Sequence, residues 1–126
     1  MPAEHEIDVS RRLVRTHGWG DVTDQDLREL YDRIRADPAF DPSYSQLCDL
    51  RSVTGMTPSI ETLRFLAQSR IFLPTAKRAY VVGREVDFAL ARLFQAYSEA
   101  EGGTVEVFRN KSDAEAWLGL SAEGKR

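Results

Sequence analysis

The sequence predicts a single α/β domain with a mixed, mostly parallel sheet, and three observations support this prediction. Short apolar strand patterns alternate with helical patterns along most of the chain. Two strand patterns separated by a short polar turn open the chain as a hairpin. The 126 residues suit one domain. The predicted order is β-β-α-β-α-β-α-β-α, with about five strands, four helices, a core over residues 5–119 and a frayed tail at 120–126.

The opening hairpin and the first helix have clear local signals. Residues 6–9 alternate polar and apolar side chains, and residues 13–20 form the second strand pattern. Thr23 and Asp26 have the spacing of a capping box, so the first helix begins there. It ends at Asp37, because a residue before proline avoids the helical conformation.

The second helix is predicted between two short strands at residues 44–50 and 77–82. Thr57 suits the cap position and Pro58 the first helical position, where the missing N–H is not needed. Pro74 is the predicted end of this helix. Its inner face is predicted to contain Ile60, Leu63, Ala67 and Ile71, with Leu66 beside them.

The third and fourth helices complete the alternation. The third follows Gly83 and ends at the glycines 102–103. After a strand at 104–108, Asn110 caps the fourth helix. The predicted inner face of the third helix is wide and apolar: Val86, Ala89, Leu90, Leu93, Phe94 and Tyr97.

Composition and charge exclude several classes of function. The net charge of −3 comes from interleaved charges without a basic stripe, so we expect no nucleic-acid partner. One cysteine forms no disulfide within the chain, and no apolar run approaches the length of a membrane span. The first residues do not resemble a secretion signal. We therefore expect a cytoplasmic protein with no membrane insertion and no cofactor.

The stretch 49–54, the helix start that follows at Thr57, and the segments 108–110 and 116–118 resemble the STAS superfamily. This is the SpoIIAA-like fold of the anti-sigma-factor antagonists, and the resemblance is closest to small bacterial STAS-like proteins. It spans residues 6–118. It implies a SpoIIAA-like fold, a bacterial source and a non-enzymatic, regulatory role in binding other proteins.

The resemblance also implies a phosphorylation site. In the family's signalling members, an Asp-Ser-Ser-Gly motif at a helix N-terminus carries a phosphorylated serine. The corresponding residues here are Thr57–Ile60, and only Ser59 keeps its residue type, so the motif is degenerate. A phosphate on Ser59 would be favoured by free N–H groups and the helix dipole. The alternative is that Thr57, Pro58 and Ser59 only start a helix.

The predicted partner-binding surface lies where parallel strands end and helices begin. It combines residues 53–63 with the turn at 83–87, which a parallel sheet places at the same edge. The partner is another protein or a second copy of the chain in a homodimer. The residues expected to contact it are Thr54, Thr57, Ser59, Arg84 and Asp87.

An alternative function is the binding of a small ligand or lipid, as in the related Sec14-type fold. This function requires a cavity between the sheet and the third helix. The residues expected to line it are Leu66, Ile71, Leu90 and Phe94.

Catalysis and metal binding have little support in the sequence. Cys48 lies in a predicted buried strand and is expected to act as a small hydrophobic residue. Asp49, at the predicted end of that strand, suits either an acid–base role or a loop contact. His5 and His17 lie in the two strands of the predicted hairpin and could face each other across it. Two ligands are too few for a metal site. We predict no enzyme, and convergence of titratable groups in one pocket would argue against that prediction.

Overall fold

A computed structural model describes residues 2–120 and contains the predicted order of elements. The strands are β1 (Ala3–Asp8), β2 (Leu13–Val22), β3 (Ser45–Met56), β4 (Lys77–Val81) and β5 (Thr104–Phe108). The helices are α1 (Asp24–Ala36), α2 (Ile60–Ser69), α3 (Glu85–Ala100) and α4 (Lys111–Leu118). The predicted α/β class and order are therefore confirmed. The predicted frayed tail lies almost wholly outside the described residues.

The five strands form one sheet in the order β1-β2-β3-β4-β5. β1 is antiparallel to β2, and each later pair is parallel. α1, α2 and α3 pack on one face of the sheet, here called the covered face, since residues of all three belong to one core cluster. Right-handed crossovers that all move in the same direction along the sheet give this arrangement. α4 follows the last strand and packs on the opposite face, here called the open face.

The two faces hold separate cores. On the covered face, Ile34, Leu66 and Phe94, one from each of α1, α2 and α3, belong to one large buried cluster. On the open face, Ala114 of α4 packs on Leu13 and neighbouring side chains in a smaller cluster. α4 contacts β3, β4 and β5, so the part of the open face over β1 and much of β2 is not covered by a helix in the described chain.

The structure corrects the start and end of α2. β3 continues to Met56, beyond the predicted end at residue 50. Ser59, not Thr57, caps α2, because the Ser59 Oγ accepts a hydrogen bond from Thr62 N at 3.1 Å. The helix ends at Ser69, well before Pro74.

The buried face of α3 agrees with the predicted one only in part, since Phe94 is buried and Leu90, Leu93 and Tyr97 are partly buried against the core. Val86 and Ala89 are exposed, whereas Asp87, Gln95 and Ser98 are buried. The hydrophobic pattern missed this face because Arg84 pairs with the Asp87 carboxylate, which makes the burial of that polar side chain possible. The first residue of α2, Ile60, is exposed as well.

Candidate functional site

The two segments of the predicted surface, residues 53–63 and 83–87, lie beside each other at one edge of the sheet, here called the rim. Arg84, the residue before α3, donates a hydrogen bond from Nη1 to the carbonyl oxygen of Thr54 at the end of β3. The same guanidinium binds both carboxylate oxygens of Asp87, at 2.8 and 2.9 Å. This arrangement connects the end of a central strand to the first turn of α3.

Asp87 holds Arg84 in place. Its carboxylate is 0 % exposed, so it is inaccessible to a partner in this conformation. The adjacent carboxylate raises the pKa of Arg84, and the side chain of Arg84 remains partly exposed. Of this pair, Arg84 is the residue that reaches the surface.

The start of α2 is connected to α1. Ser59 N donates to Asp24 Oδ1 at 2.9 Å, so the capping residue of α2 is bound to the first residue of α1. One turn later, Arg28 donates to Thr62 Oγ1 at 3.1 Å. Thr57 is exposed, and Ser59 is half-buried with its hydroxyl engaged in the cap. The starts of all three helices on the covered face therefore lie at the rim.

Two aliphatic side chains are exposed at the rim. Ile60 is 54 % exposed and Val86 is 55 % exposed, at the first turns of α2 and α3. These positions are well suited to contact another molecule, because neither side chain is needed by the core. The sequence pattern placed both residues on inner helix faces and therefore missed their exposure.

A small apolar cavity lies beneath the rim. Its volume is about 60 Å³, and its lining includes Leu66, Leu90 and Phe94 of the predicted ligand site together with Pro58. Ile71 is buried but lies outside this lining. This volume is well below the roughly 300–1,000 Å³ of typical ligand pockets.

The two histidines lie on opposite sides of the sheet. His5 pairs with Thr16 in the ladder, and its Nε2 donates a 2.8 Å hydrogen bond to Asp37 Oδ2 at the end of α1. His17 pairs with Glu4 and is exposed on the open face. Residues 2–120 contain no group of three His, Cys, Asp or Glu side chains that could hold a metal ion.

The open face carries a polar groove that the sequence analysis did not predict. It has a volume of about 590 Å³ and lies between β1 and the start of α4. Its polar lining consists largely of charged or titratable side chains: Glu4, Glu6, Arg15, His17, Asp49 and Lys111. The signal was present in the alternation along β1 and β2, whose outward residues are polar, but only the sheet order places these strands beside Asp49.

Asp49, one of the residues that line the groove, is held in place by Arg51. It lies in the middle of β3, directly opposite His17 on β2, not at a strand end. Arg51 donates to both Asp49 oxygens, at 3.0 and 2.7 Å, and these bonds lower the pKa of the Asp49 carboxyl. Arg51 therefore keeps the Asp49 carboxyl ionised and binds both of its oxygens.

Cys48 is buried on the covered face, as predicted. Burial raises the pKa of its thiol to about 12, so the reactive thiolate is not formed near neutral pH. The cysteine acts as a small core side chain.

Comparison with known proteins supports the fold. The structure resembles the crystal structure of an uncharacterized protein from the DUF3478 family with a SpoIIAA-like fold from Shewanella loihica PV-4, with a TM-score of 0.61. The two chains are 18 % identical over 92 % of this chain and 93 % of the other. Neither a model of any protein family nor any curated protein matches the sequence.

The chain therefore has a SpoIIAA-like fold, and the STAS-like resemblance found in the sequence is confirmed at the level of the fold. Among the described residues, no helix combines the length and apolar character needed to cross a bilayer.

Proposed function

We propose that this chain is a non-enzymatic, STAS-like interaction module that binds an apolar surface of another protein through its rim. The observation that carries this proposal is the pair of aliphatic side chains, Ile60 and Val86, exposed on helix starts that the core holds firmly. Arg84 lies between them in sequence and adds a partly exposed guanidinium. Arginine is enriched in protein interfaces, and burial of exposed apolar side chains by a partner is favourable.

The rigidity of the rim supports the proposal. Asp87 fixes Arg84, and Asp24 fixes the cap of α2 through Ser59 N. Binding therefore orders few side chains, which lowers the entropic cost of association. A cytoplasmic location and a bacterial source fit this role and belong to the proposal.

Regulation by phosphorylation at Ser59 belongs to the same proposal. A phosphate would remove the hydroxyl from its cap bond with Thr62 N and bring negative charge close to Asp24. Arg28 donates to Thr62 Oγ1 at 3.1 Å and therefore places a cation in the first turn of α2. Phosphorylation would thus change the start of α2, where the partner is expected to bind. Mass spectrometry of the protein from its native cells tests this step.

A non-enzymatic role is favoured although the groove on the open face gathers titratable side chains. In the described chain no hydrogen bond joins His17 to Glu4 or to Asp49. Asp49 is instead bound to Arg51. A general acid or base needs a partner or a substrate proton within hydrogen-bond reach, and a bound carboxylate is less available for that role.

The test is site-specific photo-crosslinking in the native cells, with the crosslinker at Ile60. Val9 provides the matched control, because it is 57 % exposed but lies in the β1–β2 turn at the opposite end of the sheet. We expect a crosslinked protein from Ile60 and none from Val9. Equal crosslinking from both positions would refute the rim as the binding surface.

The partner identified by crosslinking is then purified separately, and calorimetric titration of the two proteins measures the contribution of the rim to the binding affinity. Ile60→Asp with Val86→Asp should weaken binding at least about tenfold, whereas Val9→Asp should leave it unchanged. Both acidic substitutions lie in first helical turns, where negative charge is favourable, so the fold should survive. If the crosslinked protein is a second copy of this chain, light scattering should show a dimer that the double variant dissociates.

The second candidate function is the binding of a small apolar ligand, and the cavity of about 60 Å³ under the rim favours it. Ligand pockets usually have volumes of about 300–1,000 Å³, so a lipid requires the helices to separate. Native mass spectrometry of protein purified without detergent tests this function. A carried ligand supports it, and an unliganded mass together with rim-dependent protein binding rejects it.

A further inference from the structure

The groove on the open face has the size of a ligand site and takes no part in binding at the rim. Its volume of about 590 Å³ lies within the range of about 300–1,000 Å³ that is usual for pockets that bind small molecules. It lies over β1 and β2, the part of the sheet that no helix covers in the described chain. A molecule in the groove would therefore contact side chains that hydrogen-bonded strands hold in place.

The strand ladders place charged side chains of the groove directly beside one another. Between β1 and β2, Glu4 is opposite His17, and Glu6 is opposite Arg15. Between β2 and β3, His17 is in turn beside Asp49. Residues that are directly opposite in an antiparallel pair have Cβ atoms about 4.5–5.5 Å apart. Side chains of opposite charge on β1 and β2 are therefore close enough to pair.

Most of these charges nevertheless remain unpaired. Within residues 2–120, no side-chain hydrogen bond or ion pair is formed by Glu4, Glu6, Arg15 or Lys111. Asp49 differs from them, because both of its oxygens accept hydrogen bonds from Arg51. The lining of the groove therefore keeps two carboxylates and two cations that no other side chain of the described chain binds.

The unpaired charges are separated by sign across the groove. Both carboxylates, Glu4 and Glu6, extend from β1, the outermost strand of the sheet. The cations lie further inward, with Arg15 on β2 and Lys111 at the first residue of α4. α4 contacts β3, and Lys111 lines the groove together with Asp49 of that strand. The groove thus has an acidic outer side and a basic inner side, about two strand spacings or about 10 Å apart.

This distribution of charge fits a zwitterion better than a simple anion or cation. An anion at the basic inner side would be repelled by the carboxylates of β1, and a cation at β1 would be repelled by the inner cations. A molecule with an ammonium group at one end and a carboxylate at the other meets an opposite charge at both ends. A span of about 10 Å equals about three residues of extended chain, so a tripeptide has its terminal charges at the required separation.

We propose that the groove binds short peptides by their charged termini, with the ammonium group at Glu4 and Glu6 and the carboxylate at Arg15 and Lys111. Hydrogen bonds between ionised groups are stronger than those between neutral groups, so the two termini supply most of the affinity. The peptide's own side chains are not needed for binding. The site lies on the open face, apart from the rim, so its test does not depend on protein binding at the rim.

The test is titration of the isotope-labelled protein with triglycine, which has both terminal charges and no charged side chain, followed by NMR spectroscopy. We expect saturable shifts of backbone amides in β1, in β2 and around Lys111, with the amides of the rim unchanged. Triglycine with an acetylated N-terminus and triglycine amide each lack one charge and should bind at least about tenfold more weakly. Glycine, which is too short to span the groove, should also bind more weakly. Absence of saturable shifts in the groove, or equal affinities for triglycine and its capped forms, would overturn the proposal.

Substitutions that remove charge assign each terminus to its side of the groove. Glu4→Gln with Glu6→Gln should weaken the binding of triglycine at least about tenfold and should not weaken that of the acetylated peptide, which has no ammonium group. Arg15→Gln with Lys111→Gln should likewise weaken the binding of triglycine but not that of triglycine amide. Glu61→Gln, at an exposed position on α2 and therefore on the other face of the sheet, is the matched control and should bind triglycine normally.

The four substituted side chains of the groove are exposed or half-buried and unpaired, so the variants should fold, and their NMR spectra show this directly. An unchanged affinity for triglycine in both double variants contradicts the proposal.

Discussion

The two faces of the sheet differ in the number and kind of side chains that they bury. The covered face packs three helices over a large cluster and encloses a hydrogen-bonded polar group around Arg78. The open face has one helix over a small cluster whose buried members are all aliphatic: Leu13, Leu47, Ala79, Val81 and Ala114. Beside that cluster it presents a solvated groove. Polar residues are therefore placed deepest on the face with the most packing, where surrounding helices can hold their partners in position.

The largest expected difference between the faces is in the cost of removing an aromatic side chain. Phe94→Ala on the covered face should lower the free energy of unfolding by about 3–5 kcal/mol, because Phe94 is 6 % exposed and packs edge-on against Tyr80. Trp117→Ala on the half-covered open face should cost clearly less, about 1–3 kcal/mol. Urea unfolding measures both changes. Equal losses would show that the faces contribute alike.

The next effect concerns the polar group on the covered face. Gln46→Leu should lower the free energy of unfolding by about 1–3 kcal/mol, because it leaves Arg78 Nε and the Tyr80 hydroxyl without their common acceptor. Urea unfolding of this variant is compared with that of Arg15→Leu, a substitution in the groove of the open face. We expect the change in the groove to cost less. A larger loss for Arg15→Leu than for Gln46→Leu would show that the buried polar group around Arg78 does not stabilise the covered face.

A smaller effect is expected at the rim, where the covered face meets solvent. Ser59→Ala should cost about 1 kcal/mol, because α2 loses its side-chain cap. Thr57→Ala should have almost no effect, because Thr57 does not cap the helix. Thermal unfolding of the two variants distinguishes the positions. A larger loss of stability for Thr57→Ala would show that Thr57 is the capping residue, as the sequence predicted.

The smallest effect is the response of the open face to acid. Arg51 lowers the folded-state pKa of Asp49, so Asp49 adds stability above its unfolded pKa of about 3.9, and this contribution is lost as the pH falls through the folded pKa. Solvent screening keeps the effect below about 1 kcal/mol. Between pH 5 and about pH 2, Asp49→Asn should therefore lose less stability than the unsubstituted protein. Parallel pH profiles in urea unfolding would show that the Arg51 pair adds nothing.

Local signals predicted most of the elements. The capping box of Thr23 and Asp26 is present, and Asn110 caps α4 as expected, because both depend on residues only three positions apart. The rim was predicted as well, since parallel strand ends share one edge. Its details were not: Ile60 and Val86 fit an apolar helical pattern, and only packing shows that these two first-turn positions are exposed, whereas the predicted Leu63, Leu66, Ala67 and Phe94 are buried.

The order of strands and helices, the single-domain α/β class and the SpoIIAA-like pattern can be read from the chain, since periodicity and capping act over one or two turns. Tertiary structure alone decided which face each helix covers, that Asp87 is buried on Arg84, and that Arg78 contacts Tyr31, which is 47 residues away. Such contacts depend on the crossover direction and on how distant elements pack, and no local pattern in the sequence encodes either.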